Sequence, residues 1–319
     1  MKRWRPFVGD AVRKKNKESK SPHMEGYNTV PVSVHHGSIA YDELPSFLEA
    51  DILPDKILPK MVMKDNYKLW PGGTLIFKLD YDVNANTYVT DIIQAAIDKI
   101  NEVNCVKIVE AGSQAKDYVS IRLGQFYSSH VGKQGDVQNL TVVKDEIDIG
   151  STMHELMHAF GFGHEHNRPD RDDYVTINFT NVKEEAQHYF TKYTPNSGYV
   201  GDEVKYDYTS IMHATNVFNQ QVNVDMNLPV IWRNDGHAEL GQRFKLTELD
   251  KKRLAVTYSC HICDSSEHDN LMFHYPGDCT KFYICSNSKR YTMNCPAGLH
   301  FSAMYKYCGY PQKVNCTLP

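Results

Sequence analysis

Seven of the eight cysteines in this chain stand at positions 260 to 316. A stretch of fewer than about 60 residues cannot bury enough apolar surface to fold unaided. Cysteine at that density is typical of small domains stapled by disulfides in an oxidising compartment. Composition changes at the same point, to Cys, Tyr, Asn and Gly with few aliphatics, so a separate module begins after Cys260. The remainder must find its core elsewhere. Six cysteines allow fifteen pairings, and spacing alone does not choose among them. A zinc knuckle built on Cys260 and Cys263 is a rival, but no second closely spaced pair of the right chemistry follows.

The 319 residues suffice for two domains, and 41% hydrophobic with 23% charged residues is ordinary for a globular protein. A net charge of -4 gives no reason to expect nucleic acid or an anionic membrane as the main partner. No apolar run is long enough to span a bilayer. The first twenty residues are basic and polar, without the apolar stretch of a secretory signal, so an extracellular location rests on the cysteines. Sequons at Asn139, Asn178 and Asn315 fit a glycoprotein of that compartment.

Residues 1–24 read as a solvated, disordered basic tail. Residues 25–60 include YDELPSFLEADILPDKILPK, interrupted by proline and without a sustained period, which predicts an extended leader lying on another domain. Regular structure begins at GTLIFKLD, where Leu75, Phe77 and Leu79 alternate as in a strand. DIIQAAIDKINE follows with helical spacing of Ile92, Ala96 and Ile100, beside Ile93 and Ile97, and CVKIVEA and DYVSIRLG predict two further strands. The expected architecture is an α+β domain over residues 61–260, then a small disulfide-rich β module over 261–319.

The segment STMHELMHAFGFGHEHNRPDRDDY carries the chemistry. His154 and His158 are four apart and project from one helix face, with Cβ atoms about 5 to 6 Å apart. Glu155, between them in sequence, is placed to take a proton from water instead of binding metal. Gly161 lets the helix end and the chain reverse, bringing up His164 as third donor. Three neutral nitrogens with an open fourth position suit one catalytic Zn2+ per chain and predict hydrolysis. A bare HExxH arises by chance in roughly three chains per hundred of this composition, and the added Gly and His lower that to roughly one in ten thousand.

HELMHAFGFGHEHNRPDRDDY resembles the HExxHxxGFxHExxRxDRDxY signature of the astacin metallopeptidases. The resemblance runs from residue 69 to 260, through LWPGG, YDYTSIMH and GQRFKLTELD. It implies a two-lobed metzincin zinc-protease fold that cleaves protein or peptide substrates. It also implies Met212 as an apolar floor under the metal, Glu165 as the acidic residue that meets the mature N-terminus through water, and a Cys105–Cys260 disulfide. Two departures stand out. Tyr127 and Glu146 occupy the positions of the family's second disulfide, which predicts a looser rim near the cleft. Ala214 follows SIMH where the family usually has the tyrosine that stabilises the oxyanion, which predicts a slower enzyme.

In the leader, LEADI resembles the FxGDI motif of astacin propeptides, which makes Asp51 the expected zymogen latch. The family's spacing puts the mature N-terminus at Met61, after Lys60, so a trypsin-like activating protease is an implied partner. Cys263, Cys279, Cys285, Cys295, Cys308 and Cys316 resemble the peritrophin type of chitin-binding domain, with FYIC and CPAGLHF in place. That resemblance implies pairs Cys263–Cys285, Cys279–Cys316 and Cys295–Cys308, and chitin as partner. Tyr275, Tyr283, Tyr291 and Phe301 are its candidate sugar-stacking residues. The resulting expectation is a secreted zinc endopeptidase, made as a zymogen and localised to chitin. The alternative is a weak or silent matrix-binding protein that keeps the zinc fold. Chitin cleavage by the chain itself is disfavoured, because no clustered carboxylate motif is present.

Overall fold

Leu75 and Phe77 lie on one buried face of Thr74–Leu79 (β1), the first strand of the larger domain. The structure is a computed structural model that describes residues 51–53, 69–103, 105–193, 204–216, 222–260, 262–263, 268–287 and 289–314. Parallel ladders join β1 to Lys107–Glu110 (β2) on one side and to Tyr118–Leu123 (β3) on the other. β3 in turn pairs in parallel with Val137–Val142 (β5), and the two-residue Ser128–Ser129 (β4) closes the sheet antiparallel to β5. The order is β2-β1-β3-β5-β4.

A short helix, Tyr81–Asn84 (α1), leads into Thr87–Asn101 (α2). Asn86 caps α2 by accepting the Val89 N–H at 3.2 Å, and Ile93, Ala96, Ile97 and Ile100 form its buried stripe. The helix carrying the motif, Ile149–Ala159 (α3), packs against α2. Nearly every α3 side chain is buried, because the helix lies between the sheet and the rest of the domain. Asp148 caps it, accepting the Ser151 N–H at 2.8 Å.

Beyond α3 the chain forms a second lobe of 3-10 turns and one antiparallel pair, Val175–Ile177 (β6) with Ile231–Arg233 (β7), over two small cores of its own. The helix Glu248–Thr257 (α4) returns to the main core, started by a capping box between Thr247 and Asp250. The α+β expectation and its strand–helix–strand order hold. Strand β5 lies outside that expectation. Its sequence, VQNLTV, buries Gln138, whose side chain bonds to Gly132 O at 2.8 Å and the Gln134 N–H at 2.9 Å.

After α4, Met272–His274 (β8), Lys281–Ser286 (β9) and Lys289–Asn294 (β10) make an antiparallel sheet in the order β10-β9-β8. His300–Ser302 (β11) pairs with Tyr307–Gly309 (β12). Disulfides join Cys263 to Cys285, Cys295 to Cys308, and Cys105 to Cys260 at the end of the larger domain. Cys279 is also disulfide-bonded; its expected partner, Cys316, lies outside the described residues, as do Met61 and Lys60. Among the described residues no helix is long and apolar enough to cross a membrane.

Candidate metal centre

The α3 helix presents His154 and His158 one turn apart, and Gly161, at φ 107°, ends it in a conformation that a side chain would strain. The Gly161 N–H returns to His158 O at 2.8 Å and the Phe162 N–H to Met157 O at 3.1 Å. This reversal carries His164 back beside the first two rings. His154, His158, His164 and Asp51 form one group, with all four ligand atoms within 4.8 Å of one another. Asp51 Oδ2 is 3.1 Å from His154 Nε2, and its Oδ1 is 3.4 Å from His158 Nε2 and 3.0 Å from His164 Nε2.

These atoms suit a cation. His154 Nδ1–H donates to Ile211 O at 2.8 Å and His158 Nδ1–H donates to Phe162 O at 2.7 Å, so the neutral rings present bare lone pairs at Nε2. Those two Nε2 atoms lie 3.0 Å apart, facing a carboxylate. Burial also pushes His154 well below its ordinary pKa, against a second proton. Lone pairs crowded together in a buried place without protons between them are the donor set of a metal.

Glu155 is buried beside them, and its Oε2 has no hydrogen-bond partner. Burial first, and then the Asp51 charge, push its carboxyl well above the usual range, while Arg243 pulls it down. A carboxylate whose proton affinity is raised by burial is suited to taking up a proton. Met212 is buried, and its carbonyl accepts the Glu165 N–H at 3.0 Å. The turn at residues 210–214 is anchored from α4, since Asp250 accepts from Ser210 Oγ at 2.6 Å and from the Ile211 N–H at 3.1 Å. That anchor fixes the carbonyl that orients His154. Glu165 lies in a buried ion cluster, its Oε1 accepting from Arg253 at 2.5 Å, Arg168 at 3.2 Å and the Asp207 N–H at 2.8 Å.

Two contributors, and the hydrogen bonds of a third, escaped the sequence reading. Arg243 Nη1 donates to Ile211 O at 2.7 Å and His213 O at 3.1 Å, bracing the same turn; its only signal was the GQR triplet. Tyr193 accepts the His164 backbone N–H at 2.9 Å, and a Cβ on Gly163 would stand 2.3 Å from that hydroxyl. Tyr127 bridges the two positions expected to loosen the rim: its hydroxyl donates to Glu146 O at 3.0 Å and accepts the Asp148 N–H at 3.1 Å. The two positions are therefore joined by hydrogen bonds and not by a covalent bond.

In the terminal module the candidate sugar residues separate. Tyr283 and Phe301 are 2% and 1% exposed, Phe301 stacked on Phe282, which removes both from contact with a ligand. Tyr275 packs its hydroxyl over Gly72 of the catalytic region. Tyr291 is exposed at 48%, and so are Tyr305, Tyr307 and Tyr310, which the sequence reading passed over.

Two family models match the chain: Astacin, a peptidase family, over residues 62–259, and Chitin binding Peritrophin-A domain over 263–316. Zinc metalloproteinase nas-14 of Caenorhabditis elegans is 35% identical over 60% of this chain, which spans 38% of that protein. Zinc metalloproteinase nas-4 of the same organism is 32% identical over 67% of this chain and 70% of its own length. Among solved structures, high choriolytic enzyme 1, a hatching enzyme zinc-protease of Oryzias latipes, aligns at TM-score 0.53 and 26% identity over 63% of this chain and 94% of its own. The helix, the three histidines and the family match agree, and the chain belongs to the astacin family of metallopeptidases and carries a peritrophin-type chitin-binding domain after its protease domain.

Proposed function

We propose that this chain is a zinc-dependent endopeptidase, made as a zymogen and delivered outside the cell to a chitin matrix. The observation that carries the reading is the convergence of His154, His158, His164 and Asp51 beside a buried Glu155 whose Oε2 has no hydrogen-bond partner. Zinc bound there would supply Lewis acidity for a carbonyl and for water at neutral pH. The three histidines would hold the ion, and the Ile211 and Phe162 carbonyls orient His154 and His158. Glu155 accepts the proton of the attacking water and returns it to the leaving amine.

Asp51 is the latch, because its carboxylate fills the position that water needs, within hydrogen-bonding distance of two of the histidine nitrogens. Its backbone pairing supports a reading of where a peptide lies: the Ser129 N–H donates to Asp51 O at 3.0 Å and the Leu53 N–H to Ser129 O at 2.8 Å. An extended substrate takes the same edge once the latch leaves, and a cut after Lys60 releases it. Sugar rings stack on Tyr291, Tyr305, Tyr307 and Tyr310, which are exposed, unlike Tyr283 and Phe301.

The test is trimming at Lys60 followed by assay on a protein substrate with and without a zinc chelator. Turnover appears only after trimming and vanishes with the chelator, and the new N-terminus reads Met-Val-Met. No turnover in zinc-loaded, trimmed protein overturns the reading. The second reading, a matrix-binding protein with little turnover, has one observation in its favour: Ala214, 7% exposed, offers a methyl group where a donor to the oxyanion is expected.

A further inference from the structure

The strand that receives the latch is only two residues long, Ser128–Ser129, and pairs with β5 only at Thr141 and Leu140. A strand so short needs another constraint if it is to keep its place relative to the metal helix. Tyr127, the residue before it, supplies one. Its hydroxyl donates to Glu146 O and accepts from the N–H of Asp148, and Asp148 is the cap of α3. One phenol thus joins the start of the peptide-receiving edge to the start of the helix that carries His154, Glu155 and His158. Burial raises its pKa, so the hydroxyl stays protonated and both bonds persist.

We propose that Tyr127 is a positioning residue for peptide binding, fixing the β4 edge at its working distance from the metal helix by two hydrogen bonds in place of a covalent crosslink. The proposal deepens the endopeptidase reading and rests on it. The hydroxyl bonds to backbone groups at residues 146 and 148 and not to the metal group, so its effect is on where the peptide lies, not on the reacting atoms. Both the latch and a substrate use that edge, and both lose hold when it drifts.

The test is Tyr127→Phe, which keeps the ring and removes the hydroxyl. In the full chain, amide exchange of Ser129 and Leu53 quickens several-fold, while Leu156 and Met157 in the middle of α3 keep their protection. In the trimmed protein KM for a long peptide rises roughly three- to tenfold with kcat and zinc content held. Unchanged exchange at Ser129 and Leu53 overturns the proposal. So does faster exchange shared equally by β5 and α3, which would mark a general stabilising role, or a fall in kcat with KM unchanged. If the parent turns over no peptide, the endopeptidase reading fails, while the exchange measurement still decides whether Tyr127 fixes the edge.

Discussion

The protease region and the chitin-binding module solve opposite problems. The first has a large apolar core, and inside it histidines, Glu165, Arg168, Asp250 and Arg253 are buried among oriented partners, with Glu155 buried beside them. The second has few buried side chains among its described residues, chiefly Tyr283, Phe301, Val314 and half-cystines, and is fastened by disulfides. A core lets a protein place charge away from water and aim it, which proton transfer requires. A stapled module need not hide its aromatics, so Tyr305, Tyr307 and Tyr310 are left on the surface, where a polysaccharide can reach them. Catalysis and adhesion should therefore respond to different substitutions.

The largest expected effect sharpens that division. Glu155→Gln keeps zinc, because the base is not a ligand, and lowers kcat roughly 10²- to 10⁴-fold. His158→Ala loses the ion as well. Metal analysis, kinetics and retention on chitin beads would be run on both, and chitin retention stays at the parent level in each. Full activity in Glu155→Gln would remove the mechanism.

Ala214→Tyr comes next. The residue stands in the turn anchored by Asp250, with its N–H 3.3 Å from His166 Nδ1 and its carbonyl accepting from His213 Nδ1 at 2.7 Å. Only the side chain changes, so the turn can persist. Loss of one oxyanion donor costs roughly 10² to 10³ in rate, and restoring part of it should raise kcat at least about tenfold with little change in KM. A folded, zinc-loaded variant no faster than its parent would show that another group fills the role.

What the sequence disclosed divides along the same line. His154, Glu155 and His158 were readable because helical spacing fixes which side chains share a face, and Gly161 announced the reversal that delivers His164. Leu75 and Phe77 were readable by alternation. Strand β4 is two serines and β5 buries a glutamine, so neither shows an apolar period. Tyr127, Tyr193 and Arg243 act on backbone groups 19, 29 and 32 residues away, a relation that no local pattern encodes. In the module, Tyr283 faces in and Tyr291 faces out on neighbouring strands of one hairpin. Register decides that difference, and composition does not contain it.

That correction gives a smaller effect on the adhesive side. Tyr305 and Tyr307 lie with ring centroids 6.2 Å apart on the surface. Replacing both by Ala should weaken retention of the full chain on chitin by roughly thirtyfold, at about 1 kcal/mol per lost stacking contact, and leave peptidase kinetics unchanged. Tyr283→Ala should instead lower the melting temperature of the module, since it removes a buried ring. Undiminished retention in the double variant would move the sugar face elsewhere.

The smallest effect tests whether the two regions are separate at all. The module's turn at residues 275–277 sits on residues 69–73: Gly72 N–H donates to Pro276 O at 3.3 Å, and a Cβ on Gly277 would stand 2.3 Å from Leu69 O. Gly277 also has φ 72°, so Gly277→Ala costs about 1 to 2 kcal/mol in backbone strain before the clash is relieved. The seat has another fastening in Arg290, whose Nη1 donates to Ser259 O at 2.9 Å, next to the Cys105–Cys260 bond that closes the protease domain. The module should therefore shift slightly without detaching, lowering the melting temperature by a few degrees, roughly what 1 kcal/mol does in a chain of this size. Turnover is the sensitive readout, because Trp70 in the same segment donates its Nε1–H to Ala159 O, the last residue of the metal helix, at 2.8 Å. If kcat/KM and chitin retention both stay within about twofold of the parent, the joint is a passive seam and the division stands. A larger fall in kcat/KM with zinc content intact would mean that the module braces the metal helix through Trp70, and that removing the adhesive half weakens the catalytic one.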